Sequence, residues 1–193
     1  MCLSSVCSKR LAICKFMSQF MFFWRKCVME DLPRRAARLA GILGEEFHGC
    51  AQMTLKALQE VFGLTDIEVF KAASPLSGGV ARSGEVCGAL LGALLCVGVI
   101  FGRSRLERTD MSEDYSRSME VATRIYDEFK DEFGTSICRE IHKRLFDRVY
   151  NLRDEKDVKE FIESGAWNKC AEVMSKAAEI AARNIIKAGY KMR

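Results

Sequence analysis

The sequence predicts an all-α protein, and three observations support this prediction. The 193 residues include only two prolines, Pro33 and Pro75, and long stretches are rich in Ala, Leu, Glu, Lys, Arg and Met, which have high helix propensity. Apolar residues recur with the 3.6-residue spacing of helices that pack against a core. No segment shows the alternating pattern typical of a strand. We therefore predict a single helical bundle.

Amphipathic segments locate most of the helices. They predict helices over about 32–47, 50–62, 115–133, 136–151 and 167–188. A short helix is expected in 65–74 with Thr65 as its N-cap, and Thr135 or Ser136 is expected to cap the helix that follows. Residues 74–85, SPLSGGVARSGE, predict a loop because Pro75 and the two adjacent glycines interrupt both periodicities. The charged residues between 151 and 167 indicate a connector.

One further segment, 86–102, is apolar throughout and reads VCGALLGALLCVGVIFG. We predict that it forms the central, fully apolar helix of the bundle, because the flanking helices are amphipathic. The alternative is a membrane span, which the small-residue spacing of Gly88 with Gly92 would suit. A helix of this length rises only about 26 Å, which is at the lower limit for a hydrocarbon core of ~30 Å. We therefore favour a buried central helix over a membrane span.

The first 28 residues differ from the rest of the chain. They contain four of the nine cysteines, Cys2, Cys7, Cys14 and Cys27, and an aromatic cluster around Phe20 and Trp24. Polar residues interrupt this cluster, and no A-x-A cleavage site follows it. We predict that residues 1–28 lie outside the fold, either as an upstream extension from a misassigned start codon or as a surface helix, and that residues 29–193 form a cysteine-bearing helical domain.

Charge and motif content exclude several classes of function. The net charge is +4, but acidic and basic residues are interleaved, so we expect no nucleic-acid partner. The chain has two histidines, His48 and His142, and lacks the G-x-S-x-G and H-E-x-x-H motifs, which argues against hydrolase chemistry. The Gly-rich loop follows no predicted strand, which argues against a Rossmann nucleotide site.

Cysteine is the unusual feature of the composition. Nine cysteines in a helix-rich chain of this length do not resemble a secreted disulfide scaffold, so we expect thiols that are kept for reactivity or ligation. Cys50, Cys87, Cys138 and Cys170 fall near predicted helix starts, where the helix dipole lowers thiol pKa values. A single helical cysteine is more often a core residue. Cys96, nine residues after Cys87, is expected on the opposite face of its helix, in the core.

Four segments carry a resemblance to a known family. They are GCAQMTLKAL from Gly49, SGGVARSGEVCGALLGALL from Ser77, FGTSICREI from Phe133 and KCAEVMSKAAEI from Lys169. Over nearly all of residues 30–185 the chain resembles the C_GCAxxG_C_C family of redox-active proteins, which is named for its spaced cysteines. The glycine expected shortly after CREI is absent, and His142 and Lys143 stand there instead.

The resemblance implies that Cys50, Cys87, Cys138 and Cys170 are the family's spaced cysteines, and we predict that they are the catalytic thiols. It also implies a helical, soluble, cytoplasmic protein. We expect a thiol–disulfide or electron-transfer role, which would make the protein an oxidoreductase, and Cys50 with Cys87 is the first candidate pair. A redox partner protein or a small thiol or disulfide would be the partner. The first alternative is that the same four cysteines ligate zinc or an iron–sulfur cluster. The second is a non-enzymatic binding or membrane-associated helical module.

The Gly-rich segment is expected to line the site of any cofactor. Its candidate residues are Gly78, Gly79, Arg82 and Gly88. The glycines allow close approach of the backbone, and Arg82 adds a positive charge beside Cys87. His142, one helical turn after Cys138, is an alternative ligand, although a lone histidine near a helix start is usually a surface or capping residue.

Overall fold

A computed structural model describes residues 31–190, and within this range the protein is all-α, as predicted. The α-helices are α1 (31–47), α2 (Cys50–Phe62), α3 (Ile67–Ala72), α4 (Gly88–Phe101), α5 (Glu113–Phe133), α6 (Cys138–Phe146), α7 (Glu155–Glu163) and α8 (Ala166–Lys187). Short 3-10 helices cover Ser74–Leu76 and Thr109–Met111. The chain divides into a unit of residues 1–32 and a unit of Pro33–Arg193. The prediction for residues 1–28 lies outside the described residues.

Helix α2 packs closely against α4. The side of α2 that carries Leu55 and Leu58 is fully buried. A Cβ atom at Gly92 of α4 would lie 2.2 Å from the carbonyl oxygen of Ala51, so only glycine permits this approach. The close contact brings the first turn of α2 beside the first turn of α4.

Helix α4 is built from the apolar segment and contacts α2, α5 and α8. Leu90, Cys96 and Val97 are buried, whereas Leu91 and Leu94 on another side of the helix are only half-buried. No helix within residues 31–190 is long and apolar enough to cross a membrane.

Three local predictions need correction. The expected connector after residue 151 contains α7, which Asp154 caps by accepting a hydrogen bond from the Asp157 N–H. Phe161 is the one buried residue of α7, and the other positions are mostly charged. The apolar pattern was therefore too sparse to indicate a helix. Asp66, rather than Thr65, caps α3. Helix α6 covers only Cys138–Phe146, so its expected span of 136–151 is too long at both ends. Ile137, rather than Thr135 or Ser136, is its N-cap, and the left-handed Asp147 ends it.

The segments before α4 and α6 are joined by backbone pairing. Val86 and Ile137 form an isolated antiparallel bridge, and no strand occurs in residues 31–190. The N–H of Cys87 donates to the Ser136 carbonyl at 2.8 Å, and the N–H of Cys138 donates to the Glu85 carbonyl at 2.6 Å. The bridge therefore aligns the starts of α4 and α6.

Candidate redox site

The four cysteines of the sequence motif converge on one cavity of about 410 Å³. Cys50 is the first residue of α2, Cys87 is the N-cap of α4, and Cys138 is the first residue of α6. Cys170 lies in the second turn of α8. These four residues are far apart in the sequence, and the fold brings all of them to the lining of this cavity.

Cys50 lies against the start of α4. Its Sγ atom would be 2.4 Å from a Cβ atom at position 88, so the side chain occupies the space that Gly88 leaves free. Two left-handed residues, His48 and Gly49, turn the chain from α1 into α2 and set the position of Cys50. Gly88 directly follows Cys87, the N-cap of α4. Cys50 therefore lies against the residue next to its predicted partner, Cys87.

Cys87 and Cys138 are neighbours for a different reason. Each is the residue that follows a member of the Val86–Ile137 bridge, and their backbone N–H groups donate across it. Cys138 packs closely against the Gly-rich loop because position 79 has no side chain. A Cβ atom at Gly79 would lie only 2.8 Å from the Cys138 Cβ. Both cysteines are buried, with 5% of their surface exposed.

The loop between the 3-10 helix and Cys87 has a strained backbone. Five consecutive residues, from Gly78 to Arg82, have φ angles between 50° and 71°. Glycine adopts this left-handed region freely, but Val80 is β-branched and its φ of 60° is a true outlier. The N–H groups of Gly84 and Glu85 donate back to the carbonyls of Gly78 and Gly79, which closes the loop. Strained backbone of this kind is found preferentially at functional sites.

His142 joins the cluster of thiols. Its Nε2 atom lies 3.5 Å from the Cys138 Sγ and 4.0 Å from the Cys170 Sγ. The ring is buried, stacks on Phe161 with a centroid distance of 4.7 Å, and packs edge-on against Phe146. The expectation of a surface or capping role for His142 is therefore wrong. Its spacing of four residues from Cys138 was the available signal, since it places both side chains on one face of α6.

A second histidine stands at another side of the cavity. His48 stacks on Trp167, with ring centroids 3.7 Å apart, and its Nδ1 atom lies 3.2 Å from the Gly44 carbonyl oxygen. Both residues line the cavity. Their stacking could not be predicted from the sequence, because it joins α8 to the turn before α2 and has no local pattern.

The thiol pKa values contradict the sequence prediction. Burial raises the pKa of Cys87 to about 12, and the neighbouring Cys50 thiol adds to this effect. Burial and then the neighbouring thiols also raise the pKa values of Cys138 and Cys170. Helix starts favour a thiolate, but in this apolar cavity the loss of solvation outweighs that effect. At neutral pH the reduced cluster is therefore uncharged.

Of the four cysteines, Cys50 has the most neighbouring groups that lower its thiol pKa. Burial raises its pKa, while the Gly78 N–H, the Ser77 hydroxyl and the first N–H groups of α2 lower it. It is also half-buried, whereas Cys87 is buried. Cys50 is thus both the less buried residue of the pair and the one whose thiolate has the most hydrogen-bond donors around it.

The other predicted residues also have definite places. Gly78 and Arg82 line the cavity, and Gly79 and Gly88 allow Cys138 and Cys50 to pack beside them. Cys96 is buried on α4 and does not line the cavity, as predicted for a core cysteine.

In the described part of the chain, no group of three or more His, Cys, Asp or Glu residues is arranged so that it could hold a metal ion. The residues that would hold zinc or an iron–sulfur cluster are those that line the cavity together, namely Cys50, Cys87, Cys138, Cys170 and His142.

The helical fold and the four converging cysteines define a thiol-bearing protein. Comparison with known families identifies the family to which it belongs. Residues 48–184 match the C_GCAxxG_C_C family, described as "putative redox-active protein", and the chain belongs to this family. It is also 25% identical over 156 residues to an uncharacterized protein of Archaeoglobus fulgidus, which covers 79% of this chain and 93% of that protein. No solved structure matches the chain.

Proposed function

We propose that this protein catalyses reversible thiol–disulfide exchange, with Cys50 as the attacking thiol and Cys87 as the resolving thiol. The observation that carries the proposal is the contact of the Cys50 Sγ with Gly88, the residue directly after Cys87. The half-buried state of Cys50 and the donors around its sulfur support its role as the first nucleophile. The burial of Cys87 supports its role in the second step.

The exchange proceeds in two displacements. The Cys50 thiolate attacks one sulfur of a substrate disulfide, the substrate S–S bond breaks, and the leaving sulfur takes up a proton. Cys87 then attacks the Cys50 sulfur of the mixed disulfide, which releases the second substrate sulfur as a thiol. Two electrons and two protons pass from the cysteine pair to the substrate, and a Cys50–Cys87 disulfide remains.

Cys138 and Cys170 have a supporting role in this proposal. Burial lowers the pKa of His142 to about 4, so its ring is neutral near pH 7. A neutral Nε2 atom can accept a hydrogen bond from a protonated thiol, and both Cys138 and Cys170 are near it. These contacts favour the thiol form of both residues, which leaves Cys50 as the reactive thiol of the cavity.

The test is the trapping of a mixed disulfide. The background is the full chain in which the four cysteines of residues 1–28 are replaced by serine. Cys87→Ser should accumulate a mixed disulfide between Cys50 and a model aryl disulfide, and Cys50→Ser should not react. Cys96→Ser is the matched control, since Cys96 is a buried cysteine of α4 outside the cavity, and it should exchange normally. Adduct formation at Cys138 or Cys170 instead would overturn the assignment.

A further inference from the structure

The cavity has one permanently charged side chain in its lining. Apart from the thiols and histidines, the wall is largely apolar and includes Ile141, Leu152, Phe161 and Met174. No aspartate or glutamate of the described residues lines it, and Arg82 is the one lysine or arginine that does. A cavity with apolar walls and a single cation favours a ligand with an apolar body and one negative charge.

Arg82 is exposed and available for such a charge. Within residues 31–190 its guanidinium makes no hydrogen bond or ion pair, in contrast to two neighbouring arginines: Arg139 is paired with Glu85, and Arg153 donates to the Ala81 carbonyl. The left-handed turn of the loop holds Arg82 beside Gly78. Arg82 therefore lines the cavity with a guanidinium that has no partner in the described chain, and a carboxylate is the natural bidentate ligand of a guanidinium.

Ser77 is a second polar group in the lining of the cavity. Its Oγ atom is buried, and no nitrogen or oxygen atom of the described chain satisfies it. Its hydroxyl stands beside the Cys50 thiol and lowers the pKa of that thiol. A buried hydroxyl with only a thiol beside it is poorly satisfied, so it is available to a ligand sulfur that bonds to Cys50.

The size of the cavity and the position of the thiols limit the ligand. A volume of about 410 Å³ is at the lower end of the range for small-molecule sites. Cys87 and Cys138 are only 5% exposed. A tripeptide disulfide would have to desolvate several charged groups against the apolar wall, which is costly when they have no partners.

We propose that the substrate is a small dithiol–disulfide couple with an aliphatic chain and a terminal carboxylate that Arg82 binds. This inference rests on the proposed exchange at Cys50 and Cys87. In the direction that reduces the protein, one ligand thiolate attacks the Cys50 sulfur and the Cys50–Cys87 bond breaks. The second ligand thiol then attacks the first ligand sulfur, so the ligand leaves as a cyclic disulfide. Two electrons and two protons pass from the ligand to the two cysteines.

The experiment compares two probes that differ in charge. Oxidised full-length protein is mixed with dihydrolipoate or with its uncharged amide, and the rate of appearance of the Cys50 and Cys87 thiols is followed by quenching and mass spectrometry. We expect dihydrolipoate to react at least tenfold faster than the amide. In Arg82→Gln the two rates should become equal, and Arg82→Lys should keep part of the preference. Arg105→Gln, which alters an exposed arginine paired with Glu107, should leave it unchanged.

A binding measurement separates this inference from the proposed function. Octanoate has the same aliphatic acid character but no sulfur, so its binding to the Cys50→Ser, Cys87→Ser double variant can be measured by calorimetry without redox chemistry. Binding that Arg82→Gln abolishes supports the site, even if no exchange occurs. Equal rates for dihydrolipoate and its amide, or a preference that survives Arg82→Gln, would overturn the proposed substrate class and leave the exchange at Cys50 intact.

Discussion

The Sγ atom of Cys50 occupies the space in which Gly88 would carry a side chain: a Cβ atom there would lie 2.4 Å from the sulfur. The relationship fixes Cys50 beside the residue that follows Cys87. It also explains physically why a cysteine on α2 and a glycine on α4 belong to the same site.

Gly88→Ala should therefore displace Cys50 and impair exchange. The added methyl group would also be 2.9 Å from the Leu76 carbonyl oxygen, and such overpacking costs about 1–3 kcal/mol of unfolding free energy. Urea denaturation and exchange rate are the measurements. Gly98→Ala is the matched control, because nothing outside the adjacent backbone of α4 lies within 4 Å of its added Cβ, and it should stabilise α4 by about 0.5–1 kcal/mol. Normal exchange in Gly88→Ala would contradict the proposed geometry.

His142 should make the folded protein sensitive to acid. Burial lowers its pKa from 6.5 to about 4, so the unfolded state binds the proton more readily. The stabilising contribution is complete above about pH 6.5 and is lost as the pH falls to about 4. The shift corresponds to about 3 kcal/mol. Unfolding by urea at several pH values should show this loss, and His142→Gln should flatten the profile between pH 6.5 and 4. An unchanged slope in that variant would contradict a buried, neutral His142.

The buried thiols should make the folded protein sensitive to alkaline pH. Burial raises the pKa of Cys87 and of Cys96 from 9.0 to about 12, so unfolded chains lose these protons first. The stability of the reduced protein is therefore complete below about pH 9 and should fall as the pH rises from 9 towards 12. Cys96→Ser should lessen the slope without changing exchange. A stability that stays constant over this range would show that the thiols are not desolvated.

The strain of the Gly-rich loop gives another prediction. Val80 has a φ of 60° and is 38% exposed, and the left-handed conformation costs about 1–2 kcal/mol for a residue with a side chain. Val80→Gly should therefore raise the unfolding free energy, measured by urea denaturation, by about 1 kcal/mol. Val149→Gly, at an exposed valine without positive φ, should lower it. A loss of stability in Val80→Gly would mean that the valine side chain contributes more through packing than its backbone costs.

Much of the fold could be predicted from periodicity, because α2, α5 and α8 each bury one regular apolar stripe. Helix α7 could not, since its single buried residue, Phe161, leaves no pattern. The same limit applies to the site. Gly-rich and cysteine segments identified Cys50 and Cys87, but the stacking of His48 on Trp167 joins residues more than a hundred positions apart.

The thiol pKa values show where local reasoning was insufficient. A helix start predicts a lowered pKa for Cys138, and the residue is indeed the first of α6. The surrounding apolar side chains and the three other thiols come from distant segments, and together they raise its pKa. The sign of the effect is a property of the assembled cavity, which no single segment contains.

The most direct test of the account is to map the disulfide of the mildly oxidised full chain. The iron and zinc content of the protein as purified is measured first. Thiols are then counted before and after reduction, and proteolytic fragments are analysed by mass spectrometry. We expect one reversible bond that joins Cys50 to Cys87, with Cys96, Cys138 and Cys170 still reduced. A bond from Cys50 to Cys138 or Cys170, or cavity thiols that remain reduced and co-purify with stoichiometric iron or zinc, would contradict it.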